Sequence, residues 1–181
     1  MRAPRLVVCC DAFRKADQEG GPPFSTFSLC QALADAGADV RVITTDRNGS
    51  QRLDVPTDEW TQSDGLRVWY ARSLPGPYYP APSAPRAVRS APRADCFLAS
   101  GTLWTHLGLL GWRAGRRLGV PAIVVPRGLL DPWALAYKPT RKRLYWWIAA
   151  RRIVREAAVV VALTEHERRT LHAFGLARRI E

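Results

Sequence analysis

Short runs of continuous apolar residues alternate with longer, two-faced stretches along this chain. Residues 6–10 (LVVCC), 40–45 (VRVITT), 66–71 (LRVWYA), 96–99 (CFLA) and 159–163 (VVVAL) read as strands, with a further strand at 123–125 (IVV) and a seventh beginning at Ile180. Apolar continuity, rather than strict alternation, predicts strands buried on both faces, as in a parallel sheet. Residues 24–36 repeat Leu29, Ala32, Leu33 and Ala36 at helical spacing, with Ser25 or Thr26 as cap and Gly37 as stop. Residues 103–118 predict a helix that buries Leu107, Leu110, Gly111, Ala114 and Leu118. A short helix is expected over 165–174, capped by Thr164 and ended by Gly175. Residues 46–65 read as an exposed loop, and the prolines of 73–92 allow little more than a rim or a short helix. This alternation predicts an α/β fold: one domain over 1–181, a doubly wound, mostly parallel Rossmann-like sheet of six or seven strands with helices on both faces.

The stretch 119–135, GVPAIVVPRGLLDPWAL, organises the rest. Its strand is stopped by Pro126, which has no ladder donor, and Arg127-Gly128 follow at once. A fixed positive charge and a flexible backbone position therefore sit at a strand's carboxyl end, where open α/β sheets bind ligands. A helix of about 20 residues is expected to start near Trp133 or Lys138. Over 138–157 it has two faces. Trp146, Ala150, Ile153 and Ala157, flanked by Trp147 and Val154, form one apolar arc. Arg141, Lys142, Arg151, Arg152 and Arg155 lie opposite, interleaved with Leu144, Tyr145 and Ile148.

Composition narrows the classes. Apolar residues are 47% and charged ones 24%, a globular mixture with enough material for a core. Lys and Arg outnumber Asp and Glu by 27 to 16, for a formal net charge of +11, which favours anionic partners without choosing among them. Cys9 and Cys10 are neighbours that point to opposite faces of a strand, no CxxC pair exists, and His106, His166 and His172 are scattered. That pattern gives no metal site and suggests reduced, buried thiols of a cytoplasmic protein. The amino terminus carries no signal-peptide pattern, and the longest apolar run, 157–163, is too short to span a bilayer.

The usual nucleotide signatures are missing: no GxGxxG in the first strand-to-helix turn, no GxxxxGK[ST], and no GxSxG elbow. Instead the first turn is long and holds Gly20-Gly21 ahead of a helix, a place where backbone amides can approach phosphate oxygens. Four passages then carry a resemblance: the GG loop, LADAGADVRVITT, PRGLLDPWALAYKPTRKRLYWW and RRIVREAAVVVALTEHERRTLHAFGL. Together they resemble the family-4-like glycosyltransferases of the GT-B fold, in their amino-terminal, acceptor-side domain.

The resemblance implies a retaining, metal-independent hexosyltransferase. It would use a nucleotide sugar as co-substrate, without a cofactor, and a saccharide or lipid-linked acceptor, in polysaccharide assembly. It places Gly20 and Gly21 at the donor phosphates. Arg127, Gly128, Ser100 and Glu165 fall at the acceptor side of the cleft; the catalytic group is left unassigned. Arg127 has a plainer alternative, an ion pair with Asp131, and Glu165 another, stabilising its helix's amino end through the dipole. Many relatives carry an HxHG pattern where this chain has Leu98-Ala99-Ser100-Gly101, and His106 reads as a surface or packing residue rather than its replacement. The carboxyl-terminal nucleotide-sugar domain of such enzymes has no counterpart in these residues, so the 181 residues alone are expected to be inactive.

The basic, partly apolar stretch 138–157 suggests peripheral attachment to an anionic membrane surface, on the inner face of the plasma membrane, against the alternative of a solvated cationic face. The rival class is a non-catalytic basic module that binds an acceptor or nucleic acid. No helix-turn-helix, RNA-recognition signature or zinc finger supports nucleic-acid binding, so none is expected.

Overall fold

The computed structural model describes residues 2–76, 78–91 and 93–181; Met1 and two positions of the proline-rich stretch, Pro77 and Pro92, lie outside it. Its strands are β1 (Arg5–Cys10), β2 (Asp39–Thr45), β3 (Arg47–Asn48), β4 (Gln51–Arg52), β5 (Trp60–Ser63), β6 (Leu66–Ala71), β7 (Cys96–Ser100), β8 (Ala122–Val125) and β9 (Val159–Val160). Seven of them form one sheet in the order β5-β6-β2-β1-β7-β8-β9. All its pairs are parallel except β5 with β6. The α/β expectation therefore holds. The order reverses at β1: the chain runs outward through β2 on one side and through β7 on the other.

Register explains the two cores. Val8 faces Val42 and Leu98 across the ladder, and Leu98 faces Ile123, so that these side chains share one face. Cys10, Val68 and Tyr70 join them under α1 (Gly21–Asp35). The alternate positions, Val7, Cys9, Ile43, Trp69 and Phe97, pack on the other face beneath α2 (Ala84–Ser90) and α3 (His106–Leu118). Cys9 and Cys10 do point to opposite faces, and burial pushes the Cys9 thiol up to about 12. Gly111 lets α3 lie close on β1, since a Cβ there would stand 3.2 Å from the Cys9 Sγ.

Four local expectations are corrected. First, α1 begins at Gly21, not residue 24, because Pro22 and Pro23 fit a first helical turn whose N–H groups need no partner. Its buried stripe is Pro23, Thr26 and Cys30, leaving Leu29, Ala32 and Ala36 exposed. Neither Ser25 nor Thr26 caps it, although Gly37 stops it as expected, with Ala38 N donating to Leu33 O.

Second, residues 46–65 are not a plain loop: β3 and β4 pair as a small hairpin, and β5 pairs with β6 as an antiparallel edge. The buried Asp46 carboxylate ties this region together, accepting from Ser73 N and from the Arg52 guanidinium. Third, β9 keeps only two residues. Val161 N still donates to Val124 O, but the next partner would be Pro126, which offers no N–H. Ile180 bridges Val160 as the start of a further strand.

Fourth, the long helix expected to start near Trp133 or Lys138 is broken into α4 (Pro132–Ala136), α5 (Pro139–Tyr145), a π turn (Trp146–Ala150) and α6 (Arg151–Glu156). The π turn inserts an extra residue and rotates the helical turns after it. Ala150, Ile153, Val154 and Ala157 are buried as expected; Tyr145 and Ala149 join them against expectation, while Trp147 is 64% exposed. In α3, likewise, the helix begins at His106 and Leu118 is 42% exposed rather than buried.

Candidate functional site

Because all parallel strands point the same way, their carboxyl ends share one rim, and the order reversal at β1 opens a crevice there. Asp11 follows β1 directly. Its backbone carbonyl accepts from Thr45 Oγ1 at the end of β2, while its side-chain Oδ1 has no protein partner among the described residues. Burial pushes the Asp11 carboxyl up to about 7, against the pull of the Thr105 hydroxyl and Arg47 and with the push of Glu19.

Arg127 leaves β8 with a left-handed backbone, φ 58°. From there its guanidinium reaches back across the crevice mouth. Nε donates to Ser100 Oγ at 2.8 Å, Nη1 to Ser25 Oγ at 2.7 Å and Nη2 to Thr26 Oγ1 at 3.1 Å. Ser100 and Thr26 are themselves 3.1 Å apart. One side chain thus clasps β7, β8 and the first turns of α1. Among the described residues no carboxylate lies within ion-pair distance of Arg127, and the alternative pair with Asp131 is not made. Burial lowers its pKa, yet a guanidinium remains charged, so a half-buried cation stands at the rim held only by hydroxyls.

Gly128 follows with φ 72°, and a Cβ there would sit 3.1 Å from Asp131 Oδ2. Its amide donates to Glu167 Oε1 at 2.7 Å, and Leu163 N donates to Oε2 at 2.9 Å. Glu167 is 4% exposed. It lies in α7 (Glu165–Phe174), whose cap is Thr164 as expected: its Oγ1 accepts from Glu167 N. Glu165 itself is exposed and paired with Arg168 at 2.8 Å, outside the crevice lining, so Glu167 is the acidic residue of this segment that meets the rim.

The crevice deepens into a cavity of about 390 Å³. Asp11, Glu19 and Arg47 stand on one side; Lys138, Arg141 and Lys142 stand on the other. Tyr78, Tyr79, Trp104 and Tyr137 supply aromatic wall, and Thr26, Ser100 and Gly101 the floor toward Arg127. The proline-rich segment forms part of that wall. Tyr78 stacks on Tyr145 at 4.8 Å and its hydroxyl donates to Arg141 O, while Tyr145 donates to Thr105 O at 2.8 Å. His106 packs against the same segment, with Nδ1 accepting from Ala81 N, but faces away from this cavity. Four cations against two carboxylates make the cavity attractive to an anion.

Gly20 and Gly21 lie on the same rim, at the exposed start of α1, with Gly20 at φ 76° and ψ −146°. The two prolines after them have no amide hydrogen, so only Gly21 and Phe24 supply N–H groups in the first four helical residues. Of the sequence-based candidates, Ser100 lines the cavity itself, Arg127, Gly128, Gly20 and Gly21 stand on the rim beside it, and Glu165 is turned away into its pair with Arg168. Asp11, Thr26, Arg47 and Glu167 escaped the sequence reading. Glu167 had a readable signal, the Thr-x-x-Glu spacing of a capping box; Thr26 had none. Among the described residues, no group of three or more His, Cys, Asp or Glu is placed to hold a metal ion, and no helix is long and apolar enough to cross a membrane.

Comparison with known proteins points the same way. Residues 20–181 match the profile of the glycosyl transferase 4-like domain. No curated protein matches the sequence. Among solved structures, HepE from Anabaena, crystallised with UDP-glucose, superposes with TM-score 0.61 at 15% identity, over 97% of this chain and 43% of that one. Sucrose-phosphate synthase from Thermosynechococcus elongatus gives TM-score 0.61 at 14% identity, over 98% of this chain and 86% of that one. UDP-N-acetylglucosamine 2-epimerase from Rickettsia bellii gives 0.53 at 16%, over 99% and 44%. At these identities the likeness is one of fold. The chain spans less than half of the HepE and epimerase chains.

Proposed function

Because this chain belongs to the glycosyl transferase 4-like domain family, we propose that it forms the acceptor-side half of a retaining, metal-independent glycosyltransferase. The observation that carries this reading is the rim cavity: the unpartnered Asp11 oxygen, four cations and aromatic wall, all at the strand-order reversal. Aromatic faces suit the apolar faces of sugar rings, and the cations suit a diphosphate or an anionic acceptor. The donor is a nucleotide sugar, the ligand class crystallised with HepE. No cofactor takes part.

In this reading Arg127, Ser100 and Gly128 shape the acceptor side, and the Gly20–Gly21 backbone approaches the donor phosphates. Asp11, when ionised, accepts a hydrogen bond from the attacking acceptor hydroxyl. A facing nucleotide-binding half completes the transition-state contacts to the leaving phosphate, so residues 1–181 alone turn nothing over. The acceptor is a saccharide or a lipid-linked one, met at the cytoplasmic face of an anionic membrane. Exposed Trp147, Ile148 and Leu144 beside Arg143, Arg151 and Arg152 support that attachment.

The test is sugar transfer by a protein carrying both halves of the cleft, with a panel of nucleotide sugars. Asp11→Asn and Arg127→Ala are each expected to lower kcat/KM by about tenfold or more, and Glu165→Gln to leave it unchanged. Full transfer by both of the first two variants would sink the assignment.

A further inference from the structure

A second cavity lies away from the crevice, between α2 and α3 on the other face of the sheet. Its volume is about 600 Å³. Its floor is apolar, made by Val88, Leu110, Phe97 and the exposed Leu118. Its border carries Arg89, Arg93, Arg113 and Arg117, and no Asp or Glu lines it. Among the described residues none of these four arginines makes an ion pair; the neighbouring Asp95 is committed to Arg2 and Arg5. Four exposed guanidinium groups without ion-pair partners around an apolar trench complement a ligand that is both anionic and apolar.

The shape limits what that is. Both helices follow strands of the parallel sheet, so both run from the carboxyl rim toward the amino rim. Arg89, Arg93 and Arg117 therefore cluster at the amino-rim end, far from the crevice, with Arg113 one turn nearer. The volume suits one small ligand rather than a protein segment. The 13 residues of α3 give the trench a length of roughly 20 Å, enough for one extended alkyl chain.

We propose that this trench binds a single-chain amphipathic anion. The alkyl chain lies on the Leu110–Phe97 floor, and its phosphate or carboxylate head is held by Arg113, Arg117, Arg89 and Arg93. The head points away from the crevice, so this ligand is not the acceptor of the transfer reaction, and the site stands whether or not that reaction does.

Dodecyl phosphate below its micelle concentration is the probe, titrated into the protein by calorimetry. Expected is saturable one-to-one binding that neither inorganic phosphate nor dodecyl maltoside reproduces at the same concentration. Replacing Arg113 and Arg117 together by Ala is expected to weaken it by about tenfold or more. Leu118→Glu, a change at an exposed position that spares the core, is expected to weaken it similarly. Equal binding of inorganic phosphate would reduce the site to a charged patch, and equal binding of the maltoside to a greasy one. Either result, no binding of dodecyl phosphate, or binding untouched by both variants, overturns the proposal.

Discussion

The amide of Gly128 donates to the carboxylate of Glu167 at 2.7 Å, so the loop that aims Arg127 is fastened from behind by a helix almost forty residues later. The same carboxylate takes Leu163 N on its other oxygen. Glu167→Ala would leave two amides without a partner in a buried place, and is expected to destabilise the fold by about 2–4 kcal/mol. Glu167→Gln keeps one acceptor oxygen and should cost clearly less. Denaturant titration of both variants measures the difference; equal stability would show that water replaces the carboxylate.

Arg127 uses the planar fork of its guanidinium, with three nitrogens on three hydroxyls. Lysine offers a single point of charge and cannot clasp β7 and α1 at once. Arg127→Lys is therefore expected to lower kcat/KM for sugar transfer by roughly tenfold, about 1.4 kcal/mol, despite keeping the charge. Steady-state kinetics on a protein carrying both halves of the cleft reads this directly.

The pH dependence of stability should carry the mark of Asp11. Its carboxyl sits at about 7 in the fold, against an ordinary value of 3.8. The folded state therefore holds a proton that the unfolded chain has lost, and stability falls as pH rises from about 4 through 7. Asp11→Asn removes this dependence. The variant is expected to match the parent near pH 4 and to exceed it above pH 8, by up to about 4 kcal/mol. Thermal melts across that range check the sign, and a variant that is less stable at pH 8 refutes it.

The π turn at Trp146–Ala150 makes deletion there unusually tolerable. Removing the exposed Ile148 lets the helix close as a regular α-helix with the buried residues on both sides in register. Circular dichroism should show a folded protein with a small change in Tm, whereas removing the buried Ile153 should abolish cooperative melting.

Trp147 and Ile148, both exposed on that turn, are also the handle for a membrane test. Co-sedimentation with anionic vesicles at low salt is expected, and the double change Trp147→Ser with Ile148→Ser should abolish pelleting while the fold persists. No pelleting of the parent protein would dismiss membrane attachment.

The sheet was legible because burial on both faces leaves a pattern that survives in sequence: Val7-Val8 and Ile123-Val124-Val125 have few other readings. The small helices were harder. Thr26 is polar yet buried, because its hydroxyl meets Ser100 and Arg127, and no periodicity rule counts such a residue as core. The π turn shifts a face by one residue, which a fixed 3.6-residue repeat cannot represent. The site was legible in part for a similar reason. Arg127 and Gly128 stand next to a strand end, whereas Asp11 matters through an unsatisfied oxygen and Glu167 through contacts made at long range. The capping box of Glu167 is written locally, but its bond to Gly128 and the open oxygen of Asp11 exist only in the folded chain.

Pro22 and Pro23, at the threshold of α1, have an evolutionary corollary. Where many nucleotide folds present a fixed comb of amides, the first turn here lacks two of its teeth. In the proposed site the attraction of an anion falls instead to long side chains such as Lys138 and Arg141, which single codon changes can lengthen, shorten or neutralise. Relatives built this way should diversify in ligand preference without altering their backbones.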